Sequence, residues 1–279
     1  MSQQHAYDVA EVQATQDLRH SIERAVGLLG GLKRFVNEDE VVTLKPNLNT
    51  ADPFPASSDP QFIKALGEAL LNAGTGELRI VESSMFSLST RAVAEKNGLA
   101  TVASELGAEL VYLDEHDWKR VRIPKGKYLK TVSVGASVTD VGTLVLAPCL
   151  KTHRFARFTM SMKMFVGWVK PSDRLKMHAR HLEEKCVELA SYFRPTLIVM
   201  DGRRAFVTGG PARGEVVSPN LVLASNNMLA IDAHAVDILR AYHAENRIKE
   251  DTWSLPQIRH AATLGIGPLN EREIRVLRE

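Results

Sequence analysis

The sequence predicts an α/β protein: a mostly parallel sheet with helices on both faces and a β-hairpin insertion. Three observations predict it. Short apolar runs recur at 41–44, 78–81, 110–113, 143–147, 196–200 and 221–224, as buried strands do. Segments of helical spacing alternate with them, the pattern of a sheet covered by helices. Residues 119–134 instead alternate around Pro124-Lys125-Gly126, as a hairpin does about its turn.

Taken in order, Leu18, Ile22, Val26 and Leu29 mark a first helix over 17–29, and Gly30-Gly31 stops it. The strand at 41–44 runs into KPNLNTADPFPASSDP, whose Pro, Asn, Ser and Asp make a loop. Asp59 caps the next helix with Pro60 in its first turn, and Ala73-Gly74 closes it. The strand at 78–81 ends in Glu82-Ser83-Ser84. Short helical runs at 92–96 and 101–106 lead to the strand at 110–113. After the hairpin, 137–141 reads as a helical turn before the strand at 143–147. Pro148 ends that strand, and the following run can be a helix carrying Lys163. A helix over 178–193 buries Leu182, Cys186, Leu189 and Phe193. The strand at 196–200 ends in Asp201-Gly202, 208–214 is a flexible loop, and 229–242 is a helix. One more helix and a short tail complete the chain. The expectation is a single α/β domain over 1–279, with a sub-domain edge near 119–142.

The 279 residues suffice for a sizeable core, with 44% hydrophobic and 24% charged residues, ordinary for a soluble globular protein. A net charge of +2 gives no argument for nucleic acid as a partner. No run approaches a membrane span, so no membrane partner is expected. The start, MSQQHAYDVAEVQATQ, lacks the basic and apolar regions of a signal peptide. Two cysteines, Cys149 and Cys186, lie far apart, too few for a zinc ribbon or an iron–sulfur motif, and fit a reducing cytoplasm. A homo-oligomer is compatible with all of this.

Polar groups just past the carboxyl end of a strand are where α/β proteins bind ligands. Lys151, Thr152 and His153 stand there, with Lys163 among Met and Phe residues. His153 and Lys163 are separated by nine residues, and His178 follows after fourteen more. Histidine serves as acid, base or metal ligand near neutral pH, and a lysine in apolar surroundings as base or nucleophile. Each one alone reads as readily as a surface lysine or a satisfied polar residue. As a set they point to a site. Lys45-Pro46-Asn47 ends the first clear strand on the same sheet edge, as a plain turn or as a cation and an amide facing the same ligand. Asp201 either caps its turn or orients a histidine. Gly209-Gly210 and Gly214 give a weak anion signal without a Walker or dinucleotide pattern. Asp232 is explained by capping at a helix start. Cys149 is either a reactive thiol or a small buried hydrophobe.

KPNLNT, LAPCLKTHRFARFTMSMKMFVG, MDGRRAFVTGGPARG and LASNNMLAIDA occur in the order of the domain-of-unknown-function 362 family, which the chain resembles over roughly 40–240. Many members carry a cysteine-rich ferredoxin-like segment. This chain has none, so no iron–sulfur cluster is expected. HRFARFTMSMKMFVGWV also resembles, distantly, the histidine-to-lysine segment of the nickel-pincer lactate racemase family. That resemblance implies a catalytic base at His153, a covalent cofactor anchor at Lys163 and a nickel ligand at His178. The early Asp-Lys-Thr-Arg-Pro-like loop of those enzymes is replaced here by Lys45-Pro46-Asn47.

The resulting expectation is an enzyme of isomerase or lyase type acting on a small, carboxylate-bearing anion. The substrate-binding residues are Lys45, Asn47, Lys151 and Asp201: the first three bind the anion, and Asp201 orients one of the catalytic groups. His153, Lys163 and His178 are the catalytic groups, and a divalent metal on His178 is admitted. The rival expectation is a non-catalytic metal- or cofactor-binding accessory protein of a redox pathway.

Overall fold

A computed structural model describes residues 7–279; the leading MSQQHA, part of the segment read for a signal peptide, lies outside the described residues. The strands are β1 (Tyr7–Gln13), β2 (Val41–Lys45), β3 (Glu77–Glu82), β4 (Glu109–Tyr112), β5 (Trp118–Arg122), β6 (Thr131–Gly135), β7 (Thr143–Leu146), β8 (Cys149–His153), β9 (Arg157–Thr159), β10 (Leu197–Phe206), β11 (Val216–Val217), β12 (Leu221–Ser225) and β13 (Ile274–Arg278). The helices are α1 (Leu18–Gly27), α2 (Pro60–Asn72), α3 (Thr90–Asn97), α4 (Leu99–Glu105), α5 (Pro171–Ala179), α6 (Leu182–Ala190), α7 (Met228–Arg240) and α8 (Pro256–Thr263).

The main sheet runs β13-β1-β12-β10-β7-β2-β3-β4. From β10 to β4 every pairing is parallel, while β12 runs antiparallel to both neighbours. The expected mostly parallel α/β sheet is therefore present, and β5 and β6 form the hairpin insertion. Alternate residues feed two cores. Leu144, Leu146, Ile198 and Met200 face one, with Phe165, Trp168 and Leu229. Val145, Ala147, Leu197 and Val199 face the other, with Ile22, Phe62 and Leu66. Period-two alternation with both faces apolar is what helices on both sides require. Asp17 and Asp59 cap α1 and α2 by accepting backbone N–H bonds from His20 and Gln61.

Five local readings change. Pro148 interrupts the strand without ending its course: β8 continues the line of β7 along the far half of β10, with Asp201 level with Cys149 and Phe206 with Lys151. Lys151, Thr152 and His153 thus lie on a strand, and the run expected as a helix turns back as β9, pairing Lys151 with Thr159 and His153 with Arg157. Thr152, Phe158 and Thr159 favour extended backbone, and β10 supplies the ladder. Lys163 follows in a tight turn leading to a 3-10 segment, Met164–Trp168. The helix expected over 178–193 begins instead at Leu182. His181, left-handed at φ 54°, separates α6 from α5, which Pro171 starts. β10 runs on to Phe206, so Asp201 is mid-strand. The tail is a strand, β13, which forms the edge of the sheet and pairs in parallel with β1.

Candidate functional site

β2 ends in Lys45 and β3 in Glu82, side by side on the carboxyl edge of the sheet, both almost wholly buried. Lys45 Nζ donates to Glu82 Oε2. Burial pulls the ammonium below the usual lysine range, against the attraction of Glu82. Trp168 offers its ring face to the same ammonium at 5.3 Å. Glu82 Oε1 accepts from the Ser83 N–H at 2.9 Å. Arg174, on α5, locks the surrounding backbone: it donates to the carbonyls of Val169 (2.6 Å), Ser84 (2.6 Å) and Gly167 (2.5 Å), and to Ser83 Oγ (2.6 Å). Burial holds this guanidinium down at about 10. A Cβ on Gly167 would collide with Glu82 Oε1, so the turn after Lys163 can approach the pair only as glycine.

On the neighbouring strand, Lys151 Nζ is buried and donates to Asn47 Oδ1 (2.7 Å), the Ala56 carbonyl (2.5 Å) and the Pro211 carbonyl (3.4 Å). It therefore ties the loop after β2 to the loop after β10. No carboxylate is among these partners, and burial draws its pKa down to about 8, helped by the charge of Lys163. Asn47 Oδ1 is occupied by Lys151, which leaves the Nδ2–H groups as the amide's free donors. Gly210 serves backbone approach: a Cβ there would collide with the Thr152 carbonyl.

His153 ends β8 and caps the following turn. Its Nδ1 accepts from the N–H groups of Phe155 and Ala156, both at 3.1 Å. An atom accepting two N–H bonds carries no proton, so the ring proton sits on Nε2. Burial lowers the pKa strongly, and Lys163, His178, Lys151 and Arg154 lower it further. His153 is a neutral imidazole presenting Nε2–H. His178, on α5, has the opposite tautomer: Nδ1 donates to the Arg174 carbonyl at 2.7 Å, leaving Nε2 as a bare lone pair. Its pKa is also lowered, by partial desolvation and by Lys163, Arg174 and Lys185.

Lys163 is placed by Asp232 rather than by a bond of its own. Asp232, wholly buried in α7, accepts from the backbone N–H groups of Ser161 (2.9 Å) and Met162 (3.0 Å) and from Ser161 Oγ (2.7 Å). Burial pushes this carboxyl up to about 6. Capping of α7 itself falls to Asn227, not to Asp232 as its position near the helix start suggested. Among the described residues Lys163 makes no hydrogen bond or ion pair, and burial lowers its pKa.

These groups meet at a cavity of about 310 Å³. Of the residues singled out in the sequence, Asn47, His153, Lys163 and His178 line it. Lys45 and Lys151 lie behind the wall, acting on it through Glu82 and Asn47. Asp201 is not brought to it. Its carboxylate accepts from Arg203 (2.7 and 2.9 Å), which also reaches Asp59 at 2.6 Å, and it touches no histidine. Burial raises Asp201 despite that partner. Cys149 is buried beside Ser58 with its thiol pushed up to about 11, as a packed hydrophobe rather than a thiolate. Among the described residues no three His, Cys, Asp or Glu side chains are disposed to hold a metal ion, so His178 stands outside any such set. Glu82 was visible only as a strand end, and Arg174 and Asp232 were missed as members of the site. The signal for Arg174 was a lone arginine three residues past Pro171, in a helix start that went unread.

The model for "Domain of unknown function (DUF362)" matches residues 42–237. A thylakoid-associated protein of Synechocystis sp. is 27% identical over 255 residues, covering 86% of this chain and 73% of that protein. Among solved structures, the lactate racemase apoprotein of Thermoanaerobacterium thermosaccharolyticum aligns at TM-score 0.36 and 11% identity, over 74% of this chain and 52% of that one. A protein of Thermotoga maritima aligns at TM-score 0.44 and 12% identity, over 81% of this chain and 57% of that one. The chain spans little more than half the length of either solved structure. Among the described residues no helix is long and apolar enough to cross a membrane.

Proposed function

The chain belongs to the DUF362 family, and from that premise we propose that it is an enzyme of isomerase or lyase type acting on a small, carboxylate-bearing anion by Lys/His acid–base chemistry. The observation that carries this reading is Lys163: a desolvated ammonium in a cavity, without a hydrogen bond or ion pair among the described residues. Lys163 is half-buried, and a partly desolvated cation left unpaired is unfavourable unless a ligand pairs it. The Lys163 ammonium and the Asn47 Nδ2–H groups bind the carboxylate. His153 Nε2–H donates to oxygen that becomes negative, as a neutral imidazole can. His178 Nε2, at the exposed mouth, takes up the proton. Lys151 and Lys45 act through Asn47 and Glu82. Asp201, tied to Arg203, has no part in this scheme.

Lys163 has the free amine that a covalent cofactor anchor needs. A nickel site needs several donors, and the side chains around His178 do not supply them, so no step is routed through a metal. Two free, buried cysteines support a reducing compartment, the cytoplasm. The Synechocystis relative is named for thylakoids, and fractionation of cells producing the chain separates the two locations.

Lys163→Met keeps length and apolar packing and deletes the charge. The expected outcome is an unchanged or raised melting temperature with loss of the extra stabilisation that carboxylates, sulfate or phosphate give over chloride at equal ionic strength. Equal melting curves in all these salts for the unmodified protein count against an anion site. A catalyst retains ligand binding after some changes at His153 and His178 while losing turnover, whereas a carrier loses binding in step with each.

A further inference from the structure

The cavity is sorted by depth. Its floor is polar: Glu82, His153 and Arg174 are only 3%, 4% and 7% exposed. Its mouth carries three exposed apolar side chains beside Arg154 and His178: Phe86, Phe155 and Leu175 are 54%, 57% and 55% exposed, and all line the cavity. They come from three separate places, the loop after β3, the β8–β9 turn and α5. Singly scattered apolar side chains on a surface are ordinary, but convergence of three on one opening is not. Phe155 is further held there by the Arg154 guanidinium over its ring at 4.7 Å. Between floor and mouth, Leu48, Met85 and Met164 complete the wall.

The volume gives the second constraint. A space of about 310 Å³ corresponds to on the order of ten water-sized groups at ~30 Å³ each. A two- or three-carbon acid leaves more than half of it, and the whole apolar rim, in contact with water. We propose that the anion this cavity takes is amphiphilic: a carboxylate whose head sits among Asn47, His153 and Lys163, and whose aryl or medium-length acyl body fills the opening between Phe86, Phe155 and Leu175. This rests on the reading of the floor as an anion site and names the class of anion.

Titration calorimetry at fixed pH and ionic strength tests it with acetate, butanoate, hexanoate and 3-phenylpropanoate, with hexan-1-ol as the uncharged control. The expected result is binding about fourfold tighter per added methylene, absent for the alcohol, and lost for every acid in Lys163→Met. Phe155→Ser combined with Leu175→Ser, both at exposed positions, is expected to flatten the dependence on chain length. Affinity that stays flat across the series while depending on Lys163 overturns the amphiphilic ligand and leaves the anion site standing. Absence of Lys163-dependent binding by any acid removes the anion site itself and the inference with it. If the double variant keeps the chain-length dependence but no longer sediments with phosphatidylglycerol vesicles that the unmodified protein binds, the rim serves a lipid surface and the proposal falls.

Discussion

Two sides of one cavity treat a lysine in opposite ways. At the strand ends, Lys45 is enclosed with Glu82, under the Trp168 ring and beside the Arg174 network, so almost every donor and acceptor there has a partner within the protein. Across the cavity, Lys163 is carried to its place by backbone that Asp232 holds, and among the described residues its own ammonium makes no hydrogen bond or ion pair. Lys45 is buried and Lys163 half-buried, and desolvation lowers the pKa of both. Only the first is compensated internally. The difference teaches where stability is kept and where it is given up: a satisfied charge pair builds the floor, and across from it stands a charge without a partner among the described residues, the one to which the proposed function assigns the ligand.

The largest effect comes from breaking the satisfied side. Lys45→Met strands the Glu82 carboxylate in a buried site, which costs about 3–5 kcal/mol for a severed buried pair. Urea unfolding followed by circular dichroism reads this as a much lower midpoint with little change in slope. Lys163→Met, with the same change of side chain, shows no comparable loss. Equal losses in the two variants erase the distinction between the two sides.

Half of this contrast is readable without coordinates. The strand ends at Lys45 and Glu82 and the Lys151–His153 block follow from short apolar runs that stop at polar residues, and the caps at Asp17 and Asp59 follow from local chemistry. What escapes is non-local. Arg174 meets Ser83 and Ser84 from about ninety positions away, and Asp232 meets Ser161 across seventy-one. No periodicity encodes such meetings. β8 escapes because proline normally stops a strand, whereas here β10 is long enough to template the chain on both sides of Pro148. β13 escapes because an edge strand needs no buried apolar run on both faces, and β1, second from that edge, because Asp8 and Glu11 interrupt its apolar residues. The break at His181 escapes because Leu182, Cys186 and Leu189 keep a helical spacing that says nothing about where the helix starts.

Lys151 lies between the two extremes, with three oxygen partners and no carboxylate. Its folded pKa, about 8, is below the 10.5 of a free lysine. The unfolded chain therefore holds the extra proton between those values, and stability must rise with pH across that window. Below pH 8 the folded state carries the full burden of a buried ammonium. The total amounts to about 3 kcal/mol for a gap of this size. Chemical denaturation of the unmodified protein and of Lys151→Met at pH 7.5 and pH 10 isolates it: the unmodified protein gains on the variant as pH rises. A constant difference between the two means that Lys151 is not lowered in the fold, and its place between the extremes is lost.

The smallest effect, and the sharpest on the chemistry, concerns His153. Burial and the neighbouring cations hold its pKa well below the ordinary histidine value. Protonating it puts a proton on Nδ1, which breaks the bonds from Phe155 and Ala156, and leaves a charged ring beside Lys163. The unfolded chain binds a proton near pH 6.5 and the folded one does not, so stability falls as pH drops below that value, by about 1.4 kcal/mol per unit once the unfolded imidazole is charged. At pH 5.5 the loss from this group is about 1.4 kcal/mol. His153→Gln, whose amide oxygen can still accept from the turn, removes that part of the acid sensitivity while keeping the turn. In the unmodified protein, nitrogen-15 spectra of the ring are expected to show a neutral Nε2–H tautomer from pH 8 to pH 5 without a titration step. A His153 signal that titrates near pH 6.5 makes it an ordinary acid–base residue. The floor would then lose its fixed donor, and the division of labour between His153 as donor and His178 as base would have to be redrawn.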